Sequence, residues 1–537
     1  MDTDVLVVGA GPTGLMLASQ LGRRGIRVVI IDRHAGPSRE TRALGVQART
    51  LEIYAHLGIA DRALELGTRA TGGNIWADGR WVARVPLGEA GKGLTPYPFV
   101  LVLGQDDNER ILGDRLRELG LSVQWNTELV GLHRQADGVE ATLETPGKTA
   151  QRIRAAWVAG CDGARSAVRR LCGVPFEGAP YEQVFFVADT EVTGSMVPDE
   201  VNVYLWREGF HFLFPMRGED HWRVVGILPP ALRDRAEVTF RDVLPSVGTG
   251  AGAGLSLRGC SWFSTYRIHH RRAARFRDGR CFLLGDAAHI HSPVGGQGMN
   301  TGLQDAYNLA WKLALVVDGR ADPALLDSYE EERLPVARRL LETTDQAFRL
   351  VVSDSRLAGL LRTKLLARLA AFAMARKRIQ RSAFRLVSQT AIRYRASRLS
   401  RAAEELPRDA PREGDRFPWL HLRLEAGGAV QDVFQALDDT RLHLLVFGHP
   451  SLAAGGQDVG DLLRMQVIPV DPENDAELAR AHVPRPSFYL LRPDGHVGLC
   501  GLELDAAAVT SYVTRTLGVR QDARWPAPAA GERAQRQ

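Results

Sequence analysis

The chain has 537 residues, too many for a single hydrophobic core, and its length predicts about three domains. With 45% apolar and 24% charged residues it has the composition of a globular protein, and no apolar run reaches the roughly 18 residues that a membrane-spanning helix needs. Its net charge of +5 is mild, and its five scattered cysteines (Cys161, Cys172, Cys260, Cys281, Cys500) exclude a disulfide framework or a CxxC zinc site. They predict a reducing, cytoplasmic setting, as does an N-terminus that enters a strand pattern with no basic leader before it.

In chain order, DVLVVG (4–9) and RVVIID (27–32) read as short buried parallel strands flanking a helix at 12–24. Short strands broken by Gly and Pro follow at 78–104, then a helix at 106–119. From 184 to 266 the chain is strand-rich: VNVYLW, FHFLFP and WRVVGIL are separated by polar turns, as in an antiparallel sheet. Alternation places Phe210, Phe212 and Phe214 on one face of that sheet and His211 and Leu213 on the other. After Gly285 the chain turns helical to about residue 400. Between Arg356 and Arg401 there are thirteen Lys/Arg and no Asp/Glu. Leu357, Leu360, Leu361, Leu365 and Leu369 recur there at helical spacing with few aromatics between the charges, which favours a solvated or domain-facing helix over a nucleic-acid or membrane surface. RDAPREGDRFPWL (408–420) is a linker, residues 440–515 alternate strand and helix as a small α/β module, and the last residues read as a disordered tail.

Two stretches carry chemistry. The first is GxGxxG at Gly9, Gly11 and Gly14, between a strand and a helix, with Asp32 ending the next strand. Gly9 serves the tight turn, Gly11 lets a pyrophosphate approach the backbone at the helix N-terminus, Gly14 allows close packing, and Asp32 can accept ribose hydroxyls. This context marks a dinucleotide site without distinguishing FAD from NAD. The second is GDAAHIHSPVGGQGMN (285–300), a carboxylate, a rigid proline corner and bare backbone ahead of a helix. A helix N-terminus there would stabilise the negative charge that a reduced flavin develops. His289 and His291 form HxH with no third clustered ligand, so a packing or polar role outweighs a metal, and none is expected.

The motifs VGAGPTG, CDGARSAVRR (161–170), RCFLLGDAAHIHSPVGGQGMN and DAYNLAWKL with LLDSYEEERLPVARRL (325–340) occur in that order. Together with RALGVQARTLEIYAHLGI (42–59) and Gln105…Glu109, they resemble the single-component FAD-dependent aromatic hydroxylases. That family includes para-hydroxybenzoate, phenol and polyketide hydroxylases. The resemblance covers roughly 1–345, and more loosely the longer members that end in a thioredoxin-like domain, here without CxxC. It implies a Rossmann-like, discontinuous FAD-binding domain (1–77, 105–180, 270–345) and an antiparallel substrate sheet (78–104, 181–269). A basic helical segment (346–407), a thioredoxin-like domain (408–520) and the tail (521–537) complete the layout.

Carried over by position, the resemblance puts Gly9, Gly11, Gly14, Asp32 and Arg33 on the ADP half of FAD, and Arg42, Gln105 and Asp286 near its pyrophosphate and ribityl chain. Asp32 departs from the Glu common at that place. Asp162 would serve FAD and nicotinamide handling, while Arg165 and Ser166 complete its motif. Pro293 and the backbone of Gly298, Met299 and Asn300 would cradle the isoalloxazine. The implied reaction is reduction of FAD by NADH or NADPH, formation of a C4a-hydroperoxyflavin with O2, and hydroxylation of a phenolic or polycyclic aromatic substrate. Tyr204, Trp206, Phe212, Phe214 and Trp222 are candidates for its pocket and His211 for a proton relay, with sheet packing as the competing reading. The family also implies a homodimer with no nucleic-acid or membrane partner. Alternatives are Baeyer–Villiger insertion on a ketone, or a weakly catalytic flavin-binding interaction protein; the WxWxIP signature of halogenases is absent.

Overall fold

The structure, a computed structural model, describes residues 1–38, 43–206, 209–235, 237–250, 254–291, 296–352, 376–449, 452 and 454–520. The fold is mixed α/β. Strand β1 (Thr3–Val8) leads through helix α1 (Pro12–Gly22) to β2 (Val28–Ile31), parallel to β1. Pro12 at the first helical position starts α1 without losing an intrahelical bond. Helix α2 (Ala48–Leu57) follows.

Strand β3 (Gly73–Ala77) pairs with the strand Arg80–Val85, and both join a second sheet, so the expected boundary at residue 78 falls inside a hairpin of that sheet. Helix α3 (Gln105–Glu118) returns to the first sheet and packs against α1. There β4 (Gln151–Gly160) lies parallel to β1 on the side opposite β2. Every β1 residue but Asp4 is buried, as expected of a parallel strand covered on both faces.

The second sheet is antiparallel apart from its parallel join to β3. It is built from β5 (Phe176–Thr193), β6 (Val201–Trp206), β7 (Gly209–Pro215), β8 (His221–Ile227) and, beyond helix α4 (Phe240–Gly250), β9 (Ser256–Ala273). Its order is β9-β5-β8-β7-β6-β3. Strand β10 (Cys281–Leu283) then re-enters the first sheet beside β4. Helices α5 (Gly298–Val317) and α6 (Asp327–Val352) follow, with α5 packed along α1.

The C-terminal part holds a separate six-stranded mixed sheet centred on β11 (Leu442–Phe447) and β12 (Leu463–Ile468), which are parallel. Helix α7 (Pro472–Arg480) connects β12 to β13 (Ser487–Leu491) and β14 (Val497–Gly501).

The leucines expected at helical spacing over 357–369 and the tail 521–537 lie outside the described residues. Of the basic segment, the helix Lys377–Val387 buries Phe384 and exposes most of its arginines. Arg393 and Arg395 pair with Asp415, and Arg398 with Asp327 and Glu331, so these three cations serve contacts between parts of the chain. Among the described residues no helix is long and apolar enough to cross a membrane.

Candidate active site

The motifs, up to 290 residues apart, converge on the loop that joins β1 to α1. Gly9 has φ +103°, a conformation that favours glycine, and a Cβ there would collide with the carbonyl of Cys161 and the Cα of Asp162. A Cβ on Gly14 would strike the Gly9 carbonyl, so α1 starts hard against the turn. Gly11 has open space around its Cβ position, as a group approaching the helix N-terminus requires. On the other side, Cβ atoms at Gly285 and Gly302 would both meet the Thr13 hydroxyl. Thr13 is thus where the first glycine loop, the Gly285–Asp286 turn and α5 meet. No sequence pattern singled it out.

Asp32 caps the same loop. Its Oδ2 accepts the Ala10 N–H at 2.7 Å, and its Oδ1 accepts the His34 N–H at 2.9 Å. Arg33 beside it is exposed. Asp162 Oδ2 accepts from Ala167 N (2.6 Å) and Val168 N (3.2 Å), while its buried Oδ1 has no hydrogen-bond partner among the described residues. Burial pushes this carboxyl above its ordinary pKa. Ser166 caps the following short helix through Arg169 N, whereas Arg165 is exposed. Gln105 Nε2 donates to Glu109 Oε1 at 2.8 Å, and Glu109 Oε2 accepts from Ser38 N at 3.0 Å. Glu109 edges a cavity of about 550 Å³ that also takes in Ala10, Leu15, Pro37, Val123 and Trp125. An elongated group leaving the Gly11 turn has room there.

At the far end, Asn300 fixes the start of α5. Its Oδ1 accepts from Gln47 N (2.9 Å) and Thr50 Oγ1 (2.7 Å), and its Nδ2 donates to the carbonyls of Gly45 (2.7 Å) and Gly296 (2.9 Å). The Asn300 side chain is therefore spent on structure, leaving the first-turn N–H groups of Gly298, Met299 and Asn300 as what a ligand could use. Met299 Sδ lies 3.2 Å from Asn108 Nδ2. Asp286 is exposed on the turn after β10. Arg42 and Pro293 lie outside the described residues. His289 turns inward, its Nε2 2.7 Å from Asp305 Oδ2, and among the described residues no cluster could hold a metal.

The open Gly11 turn, the orphaned Asp162 oxygen, the adjoining cavity and the glycine start of α5 together fit a dinucleotide such as FAD.

The antiparallel sheet divides the aromatic candidates between its faces. Tyr204, Trp222 and Leu213 pack with Val243 and Val247 of α4 on the outer face. Tyr204 also stacks on Trp76 at 5.4 Å and donates to the Ser195 carbonyl at 2.6 Å. His211 alternates to this face as well, while Trp206, whose ring lies 4.0 Å from that of His211, sits at the strand end and also packs against the cluster of Phe210 and Phe212. His211 is fully buried, neither ring nitrogen has a partner among the described residues, and burial holds its pKa down at about 3. Among the described residues nothing is placed to exchange a proton with His211, and its burial favours the competing reading of sheet packing.

The inner face carries Phe210, Phe212 and Phe214. Phe210 and Phe212 meet edge to face at 5.0 Å, and Phe212 stacks on Phe214 at 6.0 Å. Phe212 and Phe214 are half-buried, and Phe214 reaches Leu44, Ala70 and Val102, on the side of the first sheet. One ion pair interrupts this apolar face: Arg223 donates to both oxygens of Asp189 at 2.5 Å, with its guanidinium 5.1 Å from the Trp262 ring. Sequence reading missed this pair, because β5 and β8 bring it together across 34 residues.

Known proteins resemble the chain over its whole length. The sequence model of the FAD binding domain family matches residues 2–344. The 6-methylpretetramide 4-monooxygenase of Streptomyces rimosus is 34% identical, over 99% of this chain and 96% of its own. The anhydrotetracycline hydroxylase OxyS from Streptomyces rimosus superposes with a TM-score of 0.76 at 29% identity, covering 98% of this chain and 100% of that one. Aklavinone-11 hydroxylase, in a ternary complex with FAD and aklavinone, gives 0.76 at 25% identity over 96% and 99%.

Proposed function

The chain belongs to the single-component FAD-dependent aromatic hydroxylases and is an FAD-dependent monooxygenase, and on that premise we propose that its substrate is a flat polycyclic phenol of polyketide type. The observation that carries the proposal is the inner-face aromatic row. Its Phe210 end is 1% exposed and anchors it in the sheet, while Phe212 and Phe214, stacked at 6.0 Å, leave ring surface open to a flat ligand. It is half-buried where it comes nearest the nucleotide-binding side. A large aromatic that covers this face gains both area burial and ring stacking. The relatives' names, an anhydrotetracycline hydroxylase and an aklavinone-11 hydroxylase among them, point to the same substrate class.

When bound, FAD supplies the redox chemistry, taking hydride from NADH or NADPH and activating O2 for transfer to the ring. The protein's part is to hold and shield. In this proposal the open turn at Gly11 and the N-terminus of α1 take the pyrophosphate, and Asp32, with Arg33 near it, takes the adenosine ribose. Gln105, Asp162, Asp286 and Arg42 line the path to the ring system. The N–H groups of Gly298, Met299 and Asn300, with Pro293, face the flavin and favour negative charge on it. Phe212 and Phe214 hold the substrate and exclude water.

Oxygen insertion into a ketone and a non-catalytic interaction role are not favoured, since the relatives reported above, and a pentachlorophenol 4-monooxygenase besides, are named as monooxygenases or hydroxylases. The six-stranded mixed sheet with α7 supports reading residues 408–520 as a thioredoxin-like domain without CxxC. A homodimer and a cytoplasmic location complete the proposal, the latter supported by five free cysteines. The test is NAD(P)H oxidation by the FAD-loaded enzyme with phenols of one to four rings. Stimulation that rises with ring number supports the reading, and no stimulation by any phenol overturns it.

A further inference from the structure

A charge cluster without solvent access joins α5 and α6 to the C-terminal sheet. Glu332 on α6 accepts from Arg492 twice (2.6 and 3.0 Å), from Lys312 (2.7 Å) and Asn308 (2.7 Å) on α5, and from Ser397 (2.7 Å). The side chains of Lys312, Glu332 and Arg492 are 0% exposed. Arg492 also pairs with Asp494, whose carbonyl accepts from Arg49 on α2 at 2.6 Å. Arg49 holds Glu52, which Arg416 grips from the linker. One turn of the C-terminal part, residues 492–496, therefore clasps both α2 and α5.

These are the two helices whose N-terminal ends Asn300 ties together through Gln47, Thr50 and Gly45. Asn300 and Asn308 are eight residues apart, about 12 Å along a helix. A second connection runs through the neighbour of Glu332. Arg333 donates to Asp305 Oδ1 at 2.6 Å, and Asp305 Oδ2 accepts the Gly285 N–H at 3.0 Å and faces His289. Both flavin-facing segments are thus wired to the same cluster.

Ion pairs taken wholly out of water rarely add stability over apolar packing; the best-attested use of such buried polar groups is to fix register. We propose that Arg492 and Asp494 are positioning residues of the flavin site, and that the C-terminal domain is the brace that sets the axial placement of α5 and α2, and with it Gly298–Asn300 and Gln47. The inference rests on the reading of Gly298–Asn300 as the flavin cradle.

The test uses full-length Arg492→Met and Arg492→Lys, with Asn308→Leu as a milder neutral change on α5 should Arg492→Met fail to fold. Midpoint of unfolding, FAD affinity and the share of NAD(P)H consumption that yields hydroxylated product are read at a temperature where each variant is folded. The brace predicts FAD affinity at least tenfold weaker and a clear shift from product to hydrogen peroxide in Arg492→Met. It predicts partial rescue in Arg492→Lys and a smaller shift of the same kind in Asn308→Leu. Variants that only melt earlier, with wild-type FAD affinity and coupling, overturn the brace alone. A wild-type protein that binds no FAD overturns the functional reading and the brace with it.

Discussion

The two faces of the antiparallel sheet are both rich in aromatics, yet they do different work. On the outer face Tyr204 and Trp222 are 2% and 5% exposed, locked under α4, and His211 is sealed among rings with its polarity unused. On the inner face Phe212 and Phe214 stay half-buried, Phe214 beside Leu44, Ala70 and Val102. Aromatic content does not mark a binding surface; what sets the inner face apart is incomplete cover.

The largest effect tests the one exception to this division. Arg223→Met leaves Asp189 without its guanidinium in an apolar face and is expected to cost about 3–5 kcal/mol, read by denaturant unfolding. An inner face that only binds substrate would show almost no loss. Trp222→Ala, on the outer face, is expected to cost about 3–5 kcal/mol through the cavity it leaves, while KM of the folded enzyme stays within about twofold of wild type. A large rise in KM would put the outer face in the site.

Phe214→Ala reverses the pattern: KM for a polycyclic phenol rises about tenfold, equivalent to about 1.4 kcal/mol, with a smaller loss of stability. The smallest effect at neutral pH belongs to His211→Phe, which keeps a buried ring and removes two unpaired nitrogens, so activity is unchanged and stability shifts by under about 1 kcal/mol. Acid separates the two proteins. With its folded pKa near 3, wild-type His211 binds its proton only when unfolded, so stability falls as pH drops from 6.5 toward 3, by up to about 1.4 kcal/mol per pH unit. His211→Phe lacks that loss, and equal acid stability of the two would contradict the burial argument.

The local parts of the site were legible in the sequence because they are short. The glycine turn, its answering Asp32 and the Gly285–Asp286 stretch each lie within one turn or one strand–helix unit. Alternation also separated Phe210, Phe212 and Phe214 from His211 and Leu213. It could not say which face is left partly open, since that depends on α4 closing the other side. Thr13 was hidden because its role exists only where three distant segments meet. Arg492 and Glu332, 160 residues apart, could not be paired from sequence. One signal was present: Asp305, Asn308 and Lys312 form a polar stripe at helical spacing in a helix buried along most of its length, and such groups require partners.

The central claim is that an FAD monooxygenase presents an aromatic face to a polycyclic phenol. The most direct measurement compares product formation from a tetracyclic and a one-ring phenol by FAD-loaded enzyme with NAD(P)H and O2, with product structures determined. The account predicts a clear preference for the tetracyclic substrate and a product carrying one new ring hydroxyl. Equal turnover of both phenols, or an oxygen inserted into the carbon skeleton, would contradict it.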